Sequence, residues 1–291
     1  MKKFQQTFNS DLIYLVSLCC EMNLHHLVLS YHVFMTPTEL MENLENPNLI
    51  VIDSRSYKEY FEGHIPKAVN LDLFYYHWSD TSKEGIKAFE NQMKNLLSFV
   101  GVRKDKTIVF YDEVSGMSAA RGVWLLMYFS HPHAFMLDGG FKKWKSLGLP
   151  TETKTNGFKP VKFTGKINKE IIVGYEYIKK KIGKIKLVDA RTQDEYDGAI
   201  IRAARRGHIP TAVSIDWNLN INDDGTMKSK EDLSKLYKFS KNDEIVTYCQ
   251  GGYRAANSFL ALKRLGFKDV KVYLGSWGEW GNKVELPVEK T

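Results

Sequence analysis

The sequence predicts an α/β protein with two similar domains, each a mostly parallel sheet flanked by helices on both faces. Short apolar runs alternate with segments of helical periodicity, which is the pattern of a parallel sheet covered by helices. A set of motifs also occurs twice in the same order, which indicates a repeated unit. The chain has 291 residues, enough for two ordinary domains with separate cores.

The repeat consists of four paired segments that follow one another in the same order. Each copy begins with an apolar run ending in Asp-x-Arg and continues with Gly-His-Ile-Pro-x-Ala-Val. A second apolar run follows, and then a segment that starts with glycine and ends with tryptophan. In order, the pairs are 49–55 with 186–191, 63–69 with 207–213, 108–111 with 245–248, and 139–144 with 275–280.

The spacing of the paired segments predicts the domain boundaries. Asp53 and Asp189 lie 136 residues apart, as do Gly139 and Gly275, so both units have nearly the same length. A polar stretch with Gly157 separates them and is typical of a linker. The predicted divisions are an N-terminal extension at 1–34, a first domain at 35–150, a linker at 151–164 and a second domain at 165–288.

Each unit contains short buried strands followed by helices. Residues 51–52 and 108–110 have the apolar character of buried strands, and 119–129 and 255–265 have helical periodicity. In open parallel sheets, ligands bind beyond the carboxyl ends of the strands, where loops lead into helices. The loop that begins with Cys249 lies at such a point.

Composition and charge exclude several classes of protein. Lys and Arg number 41 against 34 Asp and Glu, which gives a net charge of +7. The basic residues are scattered, and the densest run, at 179–186, lacks the interleaved aromatics of a nucleic-acid surface, so a solvated helix face is the better interpretation. No stretch has the 18 or more apolar residues of a membrane span. We therefore expect neither nucleic acid nor membrane as a partner.

The three cysteines indicate a reducing compartment. Cys19 and Cys20 are adjacent, and no cysteine or histidine spacing suggests a metal site. An apolar run at 12–18 imitates a signal peptide, but Asp11 and Glu21 flank it and no small-residue cleavage site follows. These features favour the cytoplasm and no bound metal.

Cys249 begins a loop suited to nucleophilic chemistry. Residues 249–254 read Cys-Gln-Gly-Gly-Tyr-Arg between a predicted strand and a predicted helix. Glycines let successive N–H groups turn towards an anion, and a helix N-terminus adds partial positive charge. Such surroundings favour the thiolate form of a cysteine. The structural alternative is a glycine-rich turn around a buried thiol.

The motifs together resemble those of the rhodanese sulfurtransferases, over most of residues 35–288. Asp-x-Arg, Gly-His-Ile-Pro-x-Ala-Val, Tyr-Cys-x-x-Gly-x-Arg-Ala and Gly-Ser-Trp-x-x-Trp stand in the family's order. The resemblance implies a tandem-domain thiosulfate or 3-mercaptopyruvate sulfurtransferase that carries sulfur as a persulfide on Cys249. It also implies that the first domain is non-catalytic, because Asp112 stands where the second domain has Cys249.

The resemblance implies roles for the residues around Cys249. Arg254 would offset the charge of the donor, and Trp277 would wall the pocket unless it packs in the core. His208 would hold the Gly-His-Ile-Pro turn, and Arg191 would pair with a nearby carboxylate. No cofactor is implied; the partners are a small anionic sulfur donor and a thiol or cyanide acceptor. Besides the catalytic Cys249, the predicted substrate-binding residues are Gln250, Gly251, Gly252, Tyr253, Arg254, Arg206 and Trp277.

The preferred donor is the least determined part of the prediction. The loop Cys-Gln-Gly-Gly matches neither Cys-Arg-Lys-Gly of thiosulfate enzymes nor Cys-Gly-Ser-Gly or Cys-Gly-Thr-Gly of mercaptopyruvate enzymes. Mercaptopyruvate enzymes grip the substrate carboxylate with an arginine at the position that Glu195 occupies here. Arg202, Arg205 and Arg206 supply nearby cations, and which of them faces the site is open. We expect thiosulfate, with mercaptopyruvate as the alternative.

The motifs also bear on two other functions. Cysteine phosphatases of related fold hold phosphate in a Cys-x5-Arg loop, whereas Cys249 and Arg254 form Cys-x4-Arg, which fits sulfur better. A non-catalytic scaffold is opposed by the cysteine that the second domain retains.

Overall fold

The structure, a computed structural model that describes residues 33–290, contains two five-stranded sheets with all neighbouring strands parallel. The strands are β1 (Phe34–Met35), β2 (Leu49–Asp53), β3 (Val69–Asn70), β4 (Thr107–Tyr111), β5 (Ala134–Leu137), β6 (Ile172–Val173), β7 (Lys186–Asp189), β8 (Val213–Ser214), β9 (Ile245–Tyr248) and β10 (Val270–Tyr273).

Ten α-helices lie within the described residues, together with 3₁₀ turns at Leu73–Tyr75, Lys169–Ile171 and Trp217–Asn220. The helices are α1 (Pro37–Asn43), α2 (Tyr57–Glu62), α3 (Lys83–Phe99), α4 (Met117–Tyr128), α5 (Gly140–Ser146), α6 (Tyr175–Lys181), α7 (Gln193–Asp197), α8 (Lys230–Leu236), α9 (Tyr253–Arg264) and α10 (Ser276–Trp280).

The two sheets have the same strand order, which confirms the predicted fold class and repeat. The orders are β1-β5-β4-β2-β3 and β6-β10-β9-β7-β8, so each strand of the second sheet takes the place of its counterpart in the first. The registers agree as well, because Asp53 pairs with Tyr111 and Asp189 pairs with Tyr248 at the carboxyl ends of the strands.

One core is shared by both sheets, and each sheet has a second core on its outer face. Alternate residues of a strand point to opposite faces, so Phe110 enters the shared core while Val109 enters an outer one. The shared core contains Trp124 of α4 and Phe259 of α9, which lie between the two sheets. The helices that follow β4 and β9 therefore pack together across the middle of the molecule.

Both copies of the Asp-x-Arg motif form the same buried ion pair. Arg191 Nη2 lies 2.6 Å from Asp189 Oδ2 and donates to the Gly207 carbonyl at 2.8 Å. Arg55 makes the equivalent contacts with Asp53 and Gly63 at the same distances. The expectation that Arg191 pairs with a carboxylate is confirmed.

The Gly-His-Ile-Pro turn is also built twice. His208 Nδ1 is 3.0 Å from the Tyr196 carbonyl, and its ring stacks on that of Tyr196 with centroids 3.6 Å apart. His64 is placed in the same way against Tyr60. His208 thus holds its turn against α7, as the sequence indicated.

The predicted extension at 1–34 lies outside the described residues except for Val33 and Phe34, which are buried. The predicted linker packs against the first half of the molecule, because the N–H groups of Val161 and Phe163 donate to Ser98 at the end of α3. Within residues 33–290, no helix is long and apolar enough to cross a membrane.

Candidate active site

Cys249 lies directly after β9, between the carboxyl end of this inner strand and the first turn of α9. The side chain is 1% exposed. The Gly252 N–H donates to Cys249 Sγ at 3.1 Å, so the sulfur already accepts one hydrogen bond from the loop. A buried sulfur that accepts a backbone N–H at a helix N-terminus is stabilised when it carries negative charge.

The loop backbone is held from α10. The Cys249 N–H donates to Ser276 Oγ at 3.2 Å, and the Trp277 N–H donates to the Cys249 carbonyl at 2.9 Å. The Gly278 N–H donates to the Gln250 carbonyl at 2.8 Å. These three bonds fix the backbone of Cys249 and Gln250 against α10.

Gly252 needs to be glycine for two reasons. Its φ of 86° is in the left-handed region, which a residue with a β-carbon adopts only at a cost of about 1–2 kcal/mol. A β-carbon there would also lie 3.2 Å from both Arg121 Nη1 and the Leu274 carbonyl oxygen. A glycine at this position allows the backbone conformation in which the Gly252 N–H points at the sulfur.

Arg254 is engaged by a carboxylate. Its Nη1 lies 2.5 Å from Glu195 Oε2 and its Nη2 lies 3.0 Å from Glu195 Oε1, in a two-bond pairing. Arg202 Nε approaches the same carboxylate at 2.9 Å. We refer to Glu195, Arg202 and Arg254 as the charge cluster. The charge cluster contains two guanidinium groups and one carboxylate, so it has one net positive charge beside the loop.

The charge cluster keeps Glu195 ionised. Burial alone would raise the pKa of Glu195, whose side chain is 1% exposed. Hydrogen bonds and charge from Arg254, with the Thr192 N–H and the charge of Arg202, instead hold that pKa at about 2. Because Glu195 also closes the capping box with Thr192 at the start of α7, the residue has a structural task that explains its presence.

The three inserted arginines have different surroundings. Arg202 belongs to the charge cluster, and its carbonyl accepts the Gln250 Nε2–H at 3.0 Å. The Arg205 guanidinium donates to carbonyls of the C-terminal segment, including those of Trp280 and Leu286. Arg206, the predicted ligand, is exposed, and no described residue forms a hydrogen bond or ion pair with its side chain. The arginine that adjoins the loop is therefore Arg202.

Tyr253 and Trp277 are both buried beside the loop. The Tyr253 hydroxyl donates to the Leu73 carbonyl of the first half, and its ring lies 4.9 Å from that of His77. Trp277 is in the outer core of the second sheet, with the Arg191 guanidinium 4.6 Å from its ring centroid. Tyr253 thus joins the two halves at the site, and Trp277 packs beneath the loop.

Two residues of the first half that the sequence did not single out reach the loop. Arg121 of α4 contacts Gly252, and the His77 ring packs against Gly251, where a β-carbon would lie 2.6 Å from His77 Cδ2. Arg121 had a signal, since it is the one charged residue of the apolar helix predicted at 119–129. His77 had none.

The equivalent loop of the first half carries Asp112. Burial raises the pKa of Asp112 to about 6, although the N–H groups of Glu113 and Ser118 donate to its oxygens at 2.8 and 3.0 Å and act in the opposite direction. A carboxylate cannot form a persulfide, so the two halves offer different chemistry at equivalent positions.

Fold and site define a tandem α/β protein with one cysteine at the strand-to-helix loop of its second half. The sequence model of the rhodanese-like domain family matches residues 36–147 and again residues 175–283. The chain belongs to the rhodanese family and contains two copies of the domain.

Relatives match along nearly their whole length. The chain is 34% identical over 277 residues to a protein named sulfur carrier protein TtuD of Thermus thermophilus, covering 89% of this chain and 96% of that protein. It is 32% identical over 260 residues to a thiosulfate sulfurtransferase of Pseudomonas aeruginosa, covering 87% and 95%.

Solved structures agree with the fold. The SseA structure from Escherichia coli, described as a 3-mercaptopyruvate sulfotransferase, has a TM-score of 0.71 and 27% identity over 84% of this chain and 98% of that chain. The wild-type EanB structure has a TM-score of 0.78 at 22% identity, over 90% of this chain and 70% of that one. At that level of identity, EanB is similar in fold alone.

Proposed function

We propose that the protein transfers sulfane sulfur from thiosulfate to a thiol or cyanide through a persulfide on Cys249. The observation that carries the proposal is the hydrogen bond from the Gly252 N–H to Cys249 Sγ at the N-terminus of α9. Among the described residues, Cys249 is the only cysteine. The names of the relatives support the same class of reaction.

The reaction is a double displacement. The Cys249 thiolate attacks the outer sulfur of thiosulfate, the sulfur–sulfur bond of the donor breaks, and sulfite leaves with the bonding electron pair. The new persulfide anion accepts hydrogen bonds from N–H groups of the loop. Cyanide or a thiolate then attacks the terminal sulfur, and the Cys249 thiolate leaves, so the enzyme is regenerated without an external oxidant or reductant.

Thiosulfate is favoured by the charge cluster. Glu195 engages both Arg254 and Arg202, so neither guanidinium is set to form a two-bond pairing with the carboxylate of mercaptopyruvate. The one net positive charge of the cluster attracts a small dianion without such a pairing. Mercaptopyruvate is the second candidate, because the SseA structure carries that activity in its description.

The proposed roles of the surrounding residues follow from these contacts. Gln250, Gly251 and Gly252 supply the loop backbone, and Arg254 acts on the donor as part of the charge cluster. The cytoplasm is the proposed location, since cysteine usage fits a reducing compartment. A small anionic donor and a thiol or cyanide acceptor are the proposed partners.

The experiment measures thiocyanate formation from cyanide with thiosulfate or mercaptopyruvate as donor. Cys249→Ser should abolish turnover, while the matched double variant Cys19→Ser, Cys20→Ser should retain it. Donor treatment without acceptor should raise the intact mass by one sulfur, about 32 Da, in the double variant and not in Cys249→Ser. Activity that persists in Cys249→Ser would exclude the proposed nucleophile.

The choice of donor has its own outcome. A higher kcat/KM for thiosulfate than for mercaptopyruvate supports the proposal, and a strong preference for mercaptopyruvate contradicts it. Hydrolysis of an aryl phosphate would indicate the phosphatase alternative. A protein that takes up no sulfur and turns over neither donor would instead be a scaffold.

A further inference from the structure

Arg121 is a buried cation that the first rhodanese domain, whose equivalent loop carries Asp112, supplies to the Cys249 loop. It lies within α4, is 3% exposed and has the aromatic ring of Trp124 4.5 Å from its guanidinium carbon. The rings of Tyr253 and Phe89 lie 5.3 and 5.5 Å away. These rings provide packing and some cation–π attraction but no full negative charge.

One nitrogen of this guanidinium faces the loop. Arg121 Nη1 is buried and has no hydrogen-bond partner among the described residues, and no carboxylate in that part of the chain forms an ion pair with Arg121. It approaches Gly252, since a β-carbon built there would lie 3.2 Å from it. Gly252 is the residue whose N–H donates to Cys249 Sγ at 3.1 Å. Arg121 Nη1 and the sulfur therefore flank the same glycine.

Burying an arginine without a counter-ion is strongly unfavourable, so an anion is expected nearby. Burial lowers the pKa of Arg121, and interactions with Tyr253 and Cys249 oppose that change. The titratable groups that face Arg121 are Tyr253, Cys249 and His77. Burial raises the pKa of Tyr253 to about 12, and burial with the charge of Arg121 lowers the pKa of His77. A phenol with a pKa of about 12 and an imidazole supply no anion at neutral pH, so the remaining group that faces Arg121 is the sulfur of Cys249.

The other cation near the sulfur already has a counter-ion of its own. Arg254 is already paired with Glu195 through two hydrogen bonds. Within residues 33–290 no carboxylate forms an ion pair with Arg121, so its charge is available to the loop.

We propose that Arg121 is the counter-ion of the sulfur anion on Cys249, both as thiolate and as persulfide. The first rhodanese domain, which lacks a cysteine, thereby completes the site of the second. The proposal rests on Cys249 as the nucleophile of the proposed function, but it concerns the charge state of the sulfur and can be measured without any donor.

The test uses the full chain with Cys19→Ser and Cys20→Ser, so that Cys249 is the only thiol. The rate of alkylation by iodoacetamide, an uncharged reagent, is measured from pH 5 to pH 9. Arg121→Met removes the charge and keeps most of the bulk, and it should lower the rate at pH 7 by about tenfold or more and move the profile to higher pH. Arg121→Lys keeps a charge and should recover most of the rate.

The matched control is Arg264→Met. Arg264 also bridges the two halves, with Nη1 3.4 Å from Asp138 Oδ2, but it lies at the opposite end of α9 from Cys249. Its alkylation profile should equal that of the parent. Thermal unfolding measures the effect on packing separately, and alkylation profiles are compared only between variants that unfold in one cooperative transition.

An unchanged alkylation profile in a folded Arg121→Met variant would overturn the proposal, and so would an Arg121→Lys variant that behaves like Arg121→Met. Failure of the proposed function is seen separately. If the protein transfers no sulfur and yet its alkylation depends on Arg121, the counter-ion stands and the reaction class does not.

Discussion

Glu195→Gln tests the charge cluster through its effect on stability. The substitution keeps the shape of the side chain and removes the negative charge that Arg254 and Arg202 share. In the native protein the pKa of Glu195 is about 2, below its ordinary value of 4.5. A carboxylate with a depressed pKa stabilises the fold above its unfolded-state pKa and loses that contribution as the pH falls towards its native pKa.

The magnitude follows from the two pKa values. A difference of about 2.5 between them corresponds to about 3 kcal/mol at neutral pH, of which about 2 kcal/mol remains near pH 3.5. The free energy of unfolding of wild type should therefore exceed that of Glu195→Gln by an amount that shrinks on acidification. The assay is urea unfolding at several pH values, since urea, unlike guanidinium, does not screen ion pairs.

Glu59→Gln is the matched control. Glu59 occupies the same place in the capping box of α2 but is exposed, and within residues 33–290 its carboxylate bonds to Ser56 and to no arginine. Its stability difference should be small, because an exposed capping carboxylate contributes little to the free energy of unfolding. A Glu195→Gln difference that stays constant or grows as the pH falls would refute the reasoning.

Two further predictions concern the loops. Asp112→Ala should leave turnover within a few-fold of wild type, because the carboxylate cannot carry sulfur; steady-state assays check this, and loss of turnover in a folded variant would require a chemical role for the first domain. Gly252→Ala should lower turnover by at least about tenfold and destabilise the protein by more than Gly266→Ala, because both glycines have positive φ but only Gly252 is crowded. Equal effects in unfolding and activity assays would show that backbone strain alone acts at Gly252.

The repeat allowed the fold to be predicted because strand order follows sequence pattern. Asp53 and Asp189 end corresponding strands, and Tyr111 and Tyr248 pair with them in the same register. Cys249 could be located for the same reason, since parallel strands place their carboxyl ends along one edge.

Side-chain pairings across the site could not be predicted in the same way. Glu195 and Arg254 are 59 residues apart, and their pairing depends on how α7 is oriented towards α9. Arg206 lies next to Arg205, whose guanidinium is held by carbonyls of a segment about 80 residues further on. No local pattern distinguishes an arginine so held from one left in solvent.

The contribution of Arg121 depends on how the two halves dock. In the sequence it is a single charge within an apolar helix, a pattern equally typical of a buried ion pair within one domain. The docking of α4 on α9 is what brings it to Gly252.

The shared core has a consequence for how such a protein can change over generations. A gene duplication normally leaves one copy dispensable. Here each copy covers an apolar surface of the other, because Trp124 and Phe259 belong to the same hydrophobic core. Deleting either half would expose the helix face that the other half shields, at roughly 25 cal/mol per Å² of apolar area. The half with Asp112 could therefore shed its own reactivity without being lost. Because the half with Asp112 is retained for stability, its side chains remain available to take on roles in the site of the other half.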